Sequence, residues 1–566
     1  MHYMEAYNRW VKDDYFDEIT QNELKSIAGN EKEIEDRFFR ALEFGTGGLR
    51  GVIGAGTNRI NIYTVRMATQ GLANYIIKQG KEAMDMGVAI AYDSRTMSPE
   101  FAREAALVLN GNNIKAYLYP GLRPTPALSF TVRELGATAG IVITASHNPK
   151  EYNGYKVYWQ DGGQVPYPRD EAIIAEVNTI TDFSQIKTAT KEEAGLFNII
   201  DAKIDDAYIS NVKAQSLQPE MLKKEGPNIN IVYTPLHGSG NIPVRRVLSE
   251  MGFTNVHVVK EQEEPDASFS TVPSPNPDNF AVFKLALELA QKTNADLILG
   301  TDPDADRVGA IVKNNKGNYE LLTGNMIGVL IAEYILSMRK ASGSLPENGA
   351  VISTIVSTDM VKAIAAEYGI TYMEVLTGFK YIGEKIKEFE KSGSNTFLFG
   401  FEESYGYLTG TYARDKDAVA ASLIIAELTA HYRTRGMSLY EGLDELYKKY
   451  GYYLEHSEAL TLKGIDGLRN IEKIMSHLRN SPPSQINKTK ITKIRDYQKS
   501  HETGLPKSNV MYFVTEDETW IAARPSGTEP KIKIYFGVKA QSREAAAAKI
   551  KDITNEMMAI IEEIIK

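Results

Sequence analysis

Ser146 follows an apolar run, Gly140–Thr144, and is itself followed by His147-Asn-Pro149. β-Branched residues running into small polar ones and a proline read as a buried strand ending in a loop. In open α/β sheets, ligand chemistry gathers at such strand ends. The loop offers a hydroxyl flanked by a histidine and an amide, with Lys156 close behind. A self-capping turn is the bland alternative for Ser146-His-Asn148, and taken alone it is the better one. Three further stretches shift the balance. Ala295–Gly300 feeds Thr301-Asp-Pro-Asp-Ala-Asp-Arg307. Pro303 forbids a regular helix, so Asp302, Asp304 and Asp306 converge only in an extended loop, where three carboxylates repel unless a cation neutralises them. Oxygen-only donors suit Mg²⁺ or Ca²⁺. Phe397–Phe401 runs into Glu402-Glu-Ser404, acceptors suited to the hydroxyls of a polyol. Arg524-Pro-Ser526-Gly527-Thr528 follows a strand and offers a guanidinium fork, two hydroxyls and loop N–H groups, a fitting cradle for phosphate.

The elements that must position these loops follow from pattern. Residues 1–43 have the helical spacing of one or two amphipathic helices. Phe44-Gly-Thr-Gly-Gly-Leu-Arg50-Gly51 interrupts them, its glycines allowing backbone to approach a ligand near Arg50. A helix over about 64–80, a strand over 87–92 ending in Asp93-Ser-Arg95, a helix from Ser98 and a strand near 115–119 lead to the Ser146 loop. Similar strand–polar loop–helix units recur at 228–240 and 350–359. Alternation of this kind predicts a mostly parallel sheet. The expected fold class is α/β: three related mixed α/β domains, at 1–205, 206–320 and 321–450. A smaller α+β domain at 451–566 follows, with strands at 451–461, 511–524 and 531–538 and a final helix over 542–566.

The 566 residues, 43% hydrophobic and 24% charged, are those of a soluble globular protein of about three to five domains. Without cysteine there is no disulfide and no thiolate site, which fits a cytoplasmic location. The first residues lack a basic n-region and an apolar core, and no apolar run reaches membrane-spanning length. A net charge of −9 argues against nucleic acid or an anionic membrane as partner. An anionic small substrate then requires local cations, and Arg50, Lys156, Arg307, Lys380, Arg414, Lys416, Arg524 and Lys531 fall in or beside the loops.

Thr144-Ala-Ser-His-Asn-Pro149, Asp302-Pro-Asp-Ala-Asp-Arg307, Phe401-Glu-Glu-Ser404 and Arg524-Pro-Ser-Gly-Thr528 occur in the order of the four active-site loops of the α-D-phosphohexomutase superfamily, which the chain resembles over nearly its whole length. Gly45–Arg50 and Thr377-Gly-Phe-Lys380 are similar to its longer subgroup, containing phosphoglucomutases and phosphopentomutases. The resemblance implies four domains around a central cleft. Ser146 would carry a phosphoryl group, and Asp302, Asp304 and Asp306 would hold one Mg²⁺ together with a phosphoryl oxygen on Ser146. Glu402, Ser404 and Lys380 would meet the sugar; Arg524, Ser526, Gly527 and Thr528 would grip its phosphate. His147, Lys156, Arg307 and Arg50 match the catalytic surroundings, Lys156 and Arg307 for proton transfer and charge stabilisation. The implied reaction interconverts glucose 1-phosphate and glucose 6-phosphate, primed by glucose 1,6-bisphosphate, in a monomer or homodimer. Phosphomannomutase, phosphopentomutase and phosphatase are alternatives, as is a non-catalytic sugar-phosphate binder. Two positions depart from the commoner motifs: Pro303 and Ala305 stand where the metal loop has glycines, and Phe401 replaces a glycine before Glu402.

Overall fold

The computed structural model describes residues 2–43, 48–462, 464–526 and 531–566. Its first sheet runs Gly48–Val52, Tyr152–Trp159, Ala139–Ile143, Val88–Tyr92, Ala116–Leu118, Phe197–Ile199. Val88–Tyr92 and Ala139–Ile143 are buried along their whole length, as apolar runs covered on both faces should be. They pair in parallel, and Ala139–Ile143 then turns back antiparallel through Tyr152–Trp159. The second sheet repeats the plan: Ile231–Thr234 pairs in parallel with Leu297–Thr301, which turns back into Val308–Lys313. So does the third, where Gly349–Thr354 lies parallel to Thr396–Glu402, which turns back into Gly406–Thr409.

The serine loop, the aspartate loop and the Glu402–Ser404 turn therefore occupy one topological place in three sheets, each joining a central parallel strand to its antiparallel neighbour. The strand–polar loop–helix units expected from sequence at 228–240 and 350–359 form a separate set: the loops after Ile231–Thr234 and Gly349–Thr354 correspond to Asp93-Ser-Arg95. The sheets are also less parallel than expected. Glu151–Lys156 lies largely within a strand, and Gly48–Val52, expected as loop, pairs with it.

The fourth sheet is antiparallel throughout, in the order Tyr452–Thr461, Lys531–Ala540, Trp520–Pro525, Met511–Thr515, Thr489–Asp496, Gln485–Ile486. The single strand expected over 511–524 is a hairpin, broken where Glu518 takes φ 62°. Helices Gly464–Asn480 and Arg543–Ile565 cover one face. The other face packs Tyr497, Tyr512, Trp520 and Tyr535 against Ile355, Val356 and Leu376 of the third domain. That contact brings the strand Trp520–Pro525, which carries Arg524, over the third domain. The N-terminus forms three short helices, Tyr3–Lys12, Glu18–Ser26 and Glu31–Phe38, rather than one or two, folded around Trp10 and closed on Tyr63.

Candidate active site

Ser146 stands in the left-handed region at φ 53°, a conformation that costs a non-glycine residue on the order of 1 kcal/mol. The surroundings fix it there. Its N–H donates to Thr144 Oγ1 at 2.8 Å, and that hydroxyl donates to Asp93 Oδ2 at 2.6 Å. The fully buried Arg95 guanidinium donates to the carbonyls of Ser146 at 2.6 Å, Asn148 at 2.5 Å, Pro149 at 2.8 Å and Tyr152 at 3.0 Å. From the second domain, Ser274 Oγ donates to the carbonyl of His147 at 2.8 Å. The Ser146 hydroxyl is thereby aimed across the domain boundary. It donates to Asp302 Oδ2 at 2.8 Å and lies 3.2 Å from His147 Nδ1.

Asp302, Asp304 and Asp306 are all buried, and one carboxylate oxygen from each lies within 4.8 Å of the others. Ala305 makes the tight turn between them at φ 48°, the conformation for which a glycine is the easier residue. Pro303, the other departure, needs no N–H here, and its carbonyl accepts from both the N–H and the hydroxyl of Ser239, each at 2.8 Å.

The cluster is strongly charged and partly balanced. Lys156 Nζ reaches Asp304 Oδ2 at 2.8 Å and Asp306 Oδ2 at 3.6 Å. Lys416 Nζ lies 3.2 Å from Asp306 Oδ2, 3.1 Å from Asp415 Oδ1 and 4.0 Å from Glu402 Oε2. Burial pulls both ammoniums down, but the carboxylates around them outweigh it and hold both above the ordinary lysine range. Asp302 is driven well up by burial and then by Asp304 and Asp306. Asp304 is held well below the carboxylate range despite burial, chiefly by Lys156. His147 is pushed well down by burial and by the Arg307 and Arg50 guanidiniums, so it stands neutral.

Two carboxylate oxygens, Asp304 Oδ1 and Asp306 Oδ1, are buried without a hydrogen-bond partner. Buried acceptors of that kind are costly to leave unmet, and oxygen-only donors this close together fit a small hard cation. Asp302, Asp304 and Asp306 could hold a metal ion.

The remaining expected residues divide. Glu402 Oε1 accepts from the N–H of Gly378 at 2.8 Å, and burial raises its carboxyl. Ser404 follows in the half-buried turn. Phe401 points the other way along the strand: its ring stacks on Phe399 and fills the space over Gly328. The aromatic that replaces a glycine there is a core residue. Lys380 leaves this group, its ammonium facing Asp170 of the first domain at 3.8 Å. Arg50 reaches Asn148 Oδ1 at 3.5 Å from its strand. Arg307 lends its N–H to Asp302 Oδ1 at 3.0 Å, and its guanidinium nitrogen Nε is 3.8 Å from Asp306. Burial raises the Tyr535 hydroxyl, and Glu403 adds to the rise while Arg524 opposes it. Lys533, the neighbour of Arg524 across the strand pair, feels Glu403, Lys531 and Arg307. Ser526 closes its loop through an N–H to the Lys531 carbonyl at 2.6 Å. Gly527 and Thr528, like Gly45–Gly47 of the glycine-rich loop, lie outside the described residues.

Phosphoglucomutase/phosphomannomutase alpha/beta/alpha domains I, II and III match residues 41–183, 206–317 and 323–450. The chain is 35% identical over 558 residues to a phosphoglucomutase of Staphylococcus epidermidis, covering 96% of this chain and 99% of that one. It belongs to the phosphoglucomutase/phosphomannomutase family. A phosphoglucomutase of Staphylococcus aureus is 36% identical over 540 residues, covering 93% of this chain and 95% of that one. Among solved structures, the fold matches a phosphoglucomutase/phosphomannomutase family protein from Burkholderia thailandensis with a TM-score of 0.65 at 18% identity, covering 91% and 97% of the two chains. It also matches pp63/parafusin from Paramecium in an open form, with a TM-score of 0.67 at 18% identity over 93% and 95%. Family membership makes the chain a phosphohexomutase, an isomerase of the α-D-phosphohexomutase superfamily. Its substrates are sugar phosphates. Among the described residues no helix is long and apolar enough to cross a membrane.

Two residues gain specific partners from the geometry: Lys416, read from sequence only as one of the local cations, and Arg95, read only as part of a strand end. Lys416 precedes the buried helix Ala418–Thr434, whose start Asp417 caps through Val419 and Ala420. A run of four charges, Arg414-Asp-Lys-Asp417, directly before an apolar helix was the available signal. Arg95 stood in plain view at a strand end, but nothing in the sequence paired it with a loop fifty residues away.

Proposed function

We propose that the protein interconverts glucose 1-phosphate and glucose 6-phosphate through a phosphorylated Ser146 and a glucose 1,6-bisphosphate intermediate. One observation carries this reading: the Ser146 hydroxyl, from the first domain, lies 2.8 Å from a carboxylate of the second domain's aspartate cluster. A serine so placed, among buried carboxylates with unmet oxygens, is built to carry a phosphoryl group at a cation site. The 35% identity to a phosphoglucomutase over almost the whole chain supports glucose over mannose or a pentose.

In this reading Asp302, Asp304 and Asp306 hold one Mg²⁺, which when bound would draw charge from the phosphoryl oxygens. Ser146 presents the phosphorus in line with a sugar hydroxyl, and Arg307 and Lys156 add positive charge where it accumulates. As the hydroxyl oxygen bonds to phosphorus and gives up its proton, the bond from phosphorus to Ser146 Oγ breaks and Oγ takes up a proton, so that overall the sugar's proton and the serine's phosphoryl group change places. Glu402 and Ser404 orient sugar hydroxyls, while Arg524, Ser526, Gly527 and Thr528 grip the phosphate not being transferred. The bisphosphate then turns over within the cleft and returns its other phosphate to Ser146. Lys416, between Asp306 and Glu402, bridges the metal and sugar halves. Domain limits at 205, 320 and 450 complete this reading.

The test is Ser146→Ala, assayed with glucose 1-phosphate in the presence of glucose 1,6-bisphosphate. Turnover should fall by at least about 10⁴-fold, since the covalent route is removed; near wild-type turnover refutes the assignment. The same assay on mannose and ribose 1-phosphates ranks the sugars.

A further inference from the structure

The oxygen that Asp304 turns toward the cation site is selected from outside its own domain. Asp304 Oδ2 accepts two hydrogen bonds, from Lys156 Nζ at 2.8 Å and from Thr125 Oγ1 at 2.9 Å. Oδ1, equally buried, accepts none. Thr125 also donates its backbone N–H to the carbonyl of Asp304 at 2.8 Å, so one threonine of the first domain holds one aspartate of the second by main chain and side chain together.

Local structure explains why a threonine can do this. Thr125 is the first residue of the helix Thr125–Glu134, and Pro126 follows it. The first N–H groups of a helix have no acceptor within it, so that of Thr125 is free to bond outward. The positive end of the helix also favours the carboxylate it faces. With exposure of 0%, the hydroxyl is shielded from water that could compete for it. Lysine alone would leave the carboxylate able to rock, because an ammonium donates over a wide range of directions. A second, short-armed donor fixed by its own backbone removes that freedom. On the far side, Ser239 holds the Pro303 carbonyl through its N–H and its hydroxyl, so the loop is pinned one residue away as well.

We infer that Thr125 is a positioning residue for the cation: by occupying Oδ2 across the domain boundary, it leaves Oδ1 of Asp304 as the ligand oxygen. This rests on the metal reading given above. Partners that orient a metal ligand typically contribute about 10- to 100-fold in affinity.

The experiment uses the full chain and Mn²⁺ as probe, with binding followed by titration calorimetry and by the electron paramagnetic resonance of the bound ion. Thr125→Val keeps the shape and the N–H but removes the hydroxyl, and should raise the Kd for Mn²⁺ about 10- to 100-fold. Thr125→Ser restores the donor and should bind within threefold of wild type, with the wild-type resonance signature. If Thr125→Val does not fold, Thr125→Ala is titrated by the same criteria. Wild-type affinity in the valine or alanine variant overturns the inference, as does a serine variant as weak as valine. Wild-type protein that binds no Mn²⁺, or binds it no better than Asp306→Asn, overturns the metal reading and this inference with it.

Discussion

Replacing Arg95 with methionine should unfasten the serine loop. Four backbone carbonyls, of Ser146, Asn148, Pro149 and Tyr152, take hydrogen bonds from this one guanidinium, which also lies 3.3 Å from the carboxylate of Asp93 and over the ring of Phe269. Both partners of the ion pair are fully buried. Methionine fills similar space but donates nothing, so the buried Asp93 carboxyl is left without its partner. Removing one partner of a buried pair costs about 3–5 kcal/mol. Each orphaned carbonyl adds about 1 kcal/mol unless water reaches it, and these terms overlap rather than add. A loss of about 3–5 kcal/mol in the opening free energy of the loop is the working figure. It should be read where it acts, because a multidomain chain does not unfold in one step. The amides of Asn148 and Tyr152 are bonded to the carbonyls of Ala145 and Pro149, each at 3.1 Å, and report on the loop directly. Their hydrogen exchange should quicken by about two to three and a half orders of magnitude, at one order per 1.4 kcal/mol. In mutase assays kcat should fall with little change in KM, because Arg95 orients the serine and meets no sugar. Arg95→Lys, which keeps the charge but cannot reach four carbonyls, should fall between. Exchange at Asn148 and Tyr152 within threefold of wild type in Arg95→Met would show that the backbone of the loop holds its own shape, and the reasoning would fail.

Further outcomes follow from other parts of the site. Lys416→Met strips the ammonium from among Asp306, Asp415 and Glu402 and should cost about 3 kcal/mol in local opening free energy, read by hydrogen exchange of the Asp417 amide that bonds the Tyr407 carbonyl; a loss under about 1 kcal/mol would mean these carboxylates do not depend on it. Ala305→Gly relieves a left-handed alanine by about 1 kcal/mol and gives up a buried methyl worth about as much, so stability should stay within about 1 kcal/mol of wild type. Ala305→Val, β-branched at positive φ, should be clearly destabilised, and a glycine variant as damaged as valine would refute the strain argument. Glu455 sits at the seam between the third and fourth domains with its carboxyl pushed up to about 7, by burial and then by Asp359, against the opposing influence of Thr358 and Asn325. A carboxyl raised in the fold gives its full share of stability below its unfolded pKa and loses it as pH climbs through about 7. Glu455→Gln should therefore gain thermal stability relative to wild type between pH 5 and pH 8; a constant difference would place the carboxyl in water.

Local chemistry was legible from the chain, and long-range pairing was not. The apolar runs at 87–92, 140–144 and 295–300 announced strands, and the polar residues at their ends announced the loops, because periodicity and turn residues are local signals. The aspartate cluster was legible for the same reason: three carboxylates two residues apart carry their own electrostatic argument for a cation. The equivalence of the three turn-back loops was not legible, because a strand followed by a polar loop looks alike whether the chain next enters a helix or folds back into an antiparallel strand. Only pairing distinguishes Ile231–Thr234, which matches Val88–Tyr92, from Leu297–Thr301, which matches the strand before Ser146.

That distinction also explains where the unforeseen residues lie. Arg95 and Thr125 stand on the first domain's other parallel strand-to-helix segments and act on the turn-back loops of their own domain and of the next. A turn-back loop joins two strands held rigidly by the sheet, so its tip is fixed at both ends but short of internal hydrogen bonds. Neighbouring loops must supply the donors its carbonyls and carboxylates need. Arg95 does this for the serine loop, Thr125 and Ser239 for the aspartate loop, and Gly378 for Glu402. Residues that hold such loops should therefore be sought at the ends of the adjacent parallel strands, in all three domains alike.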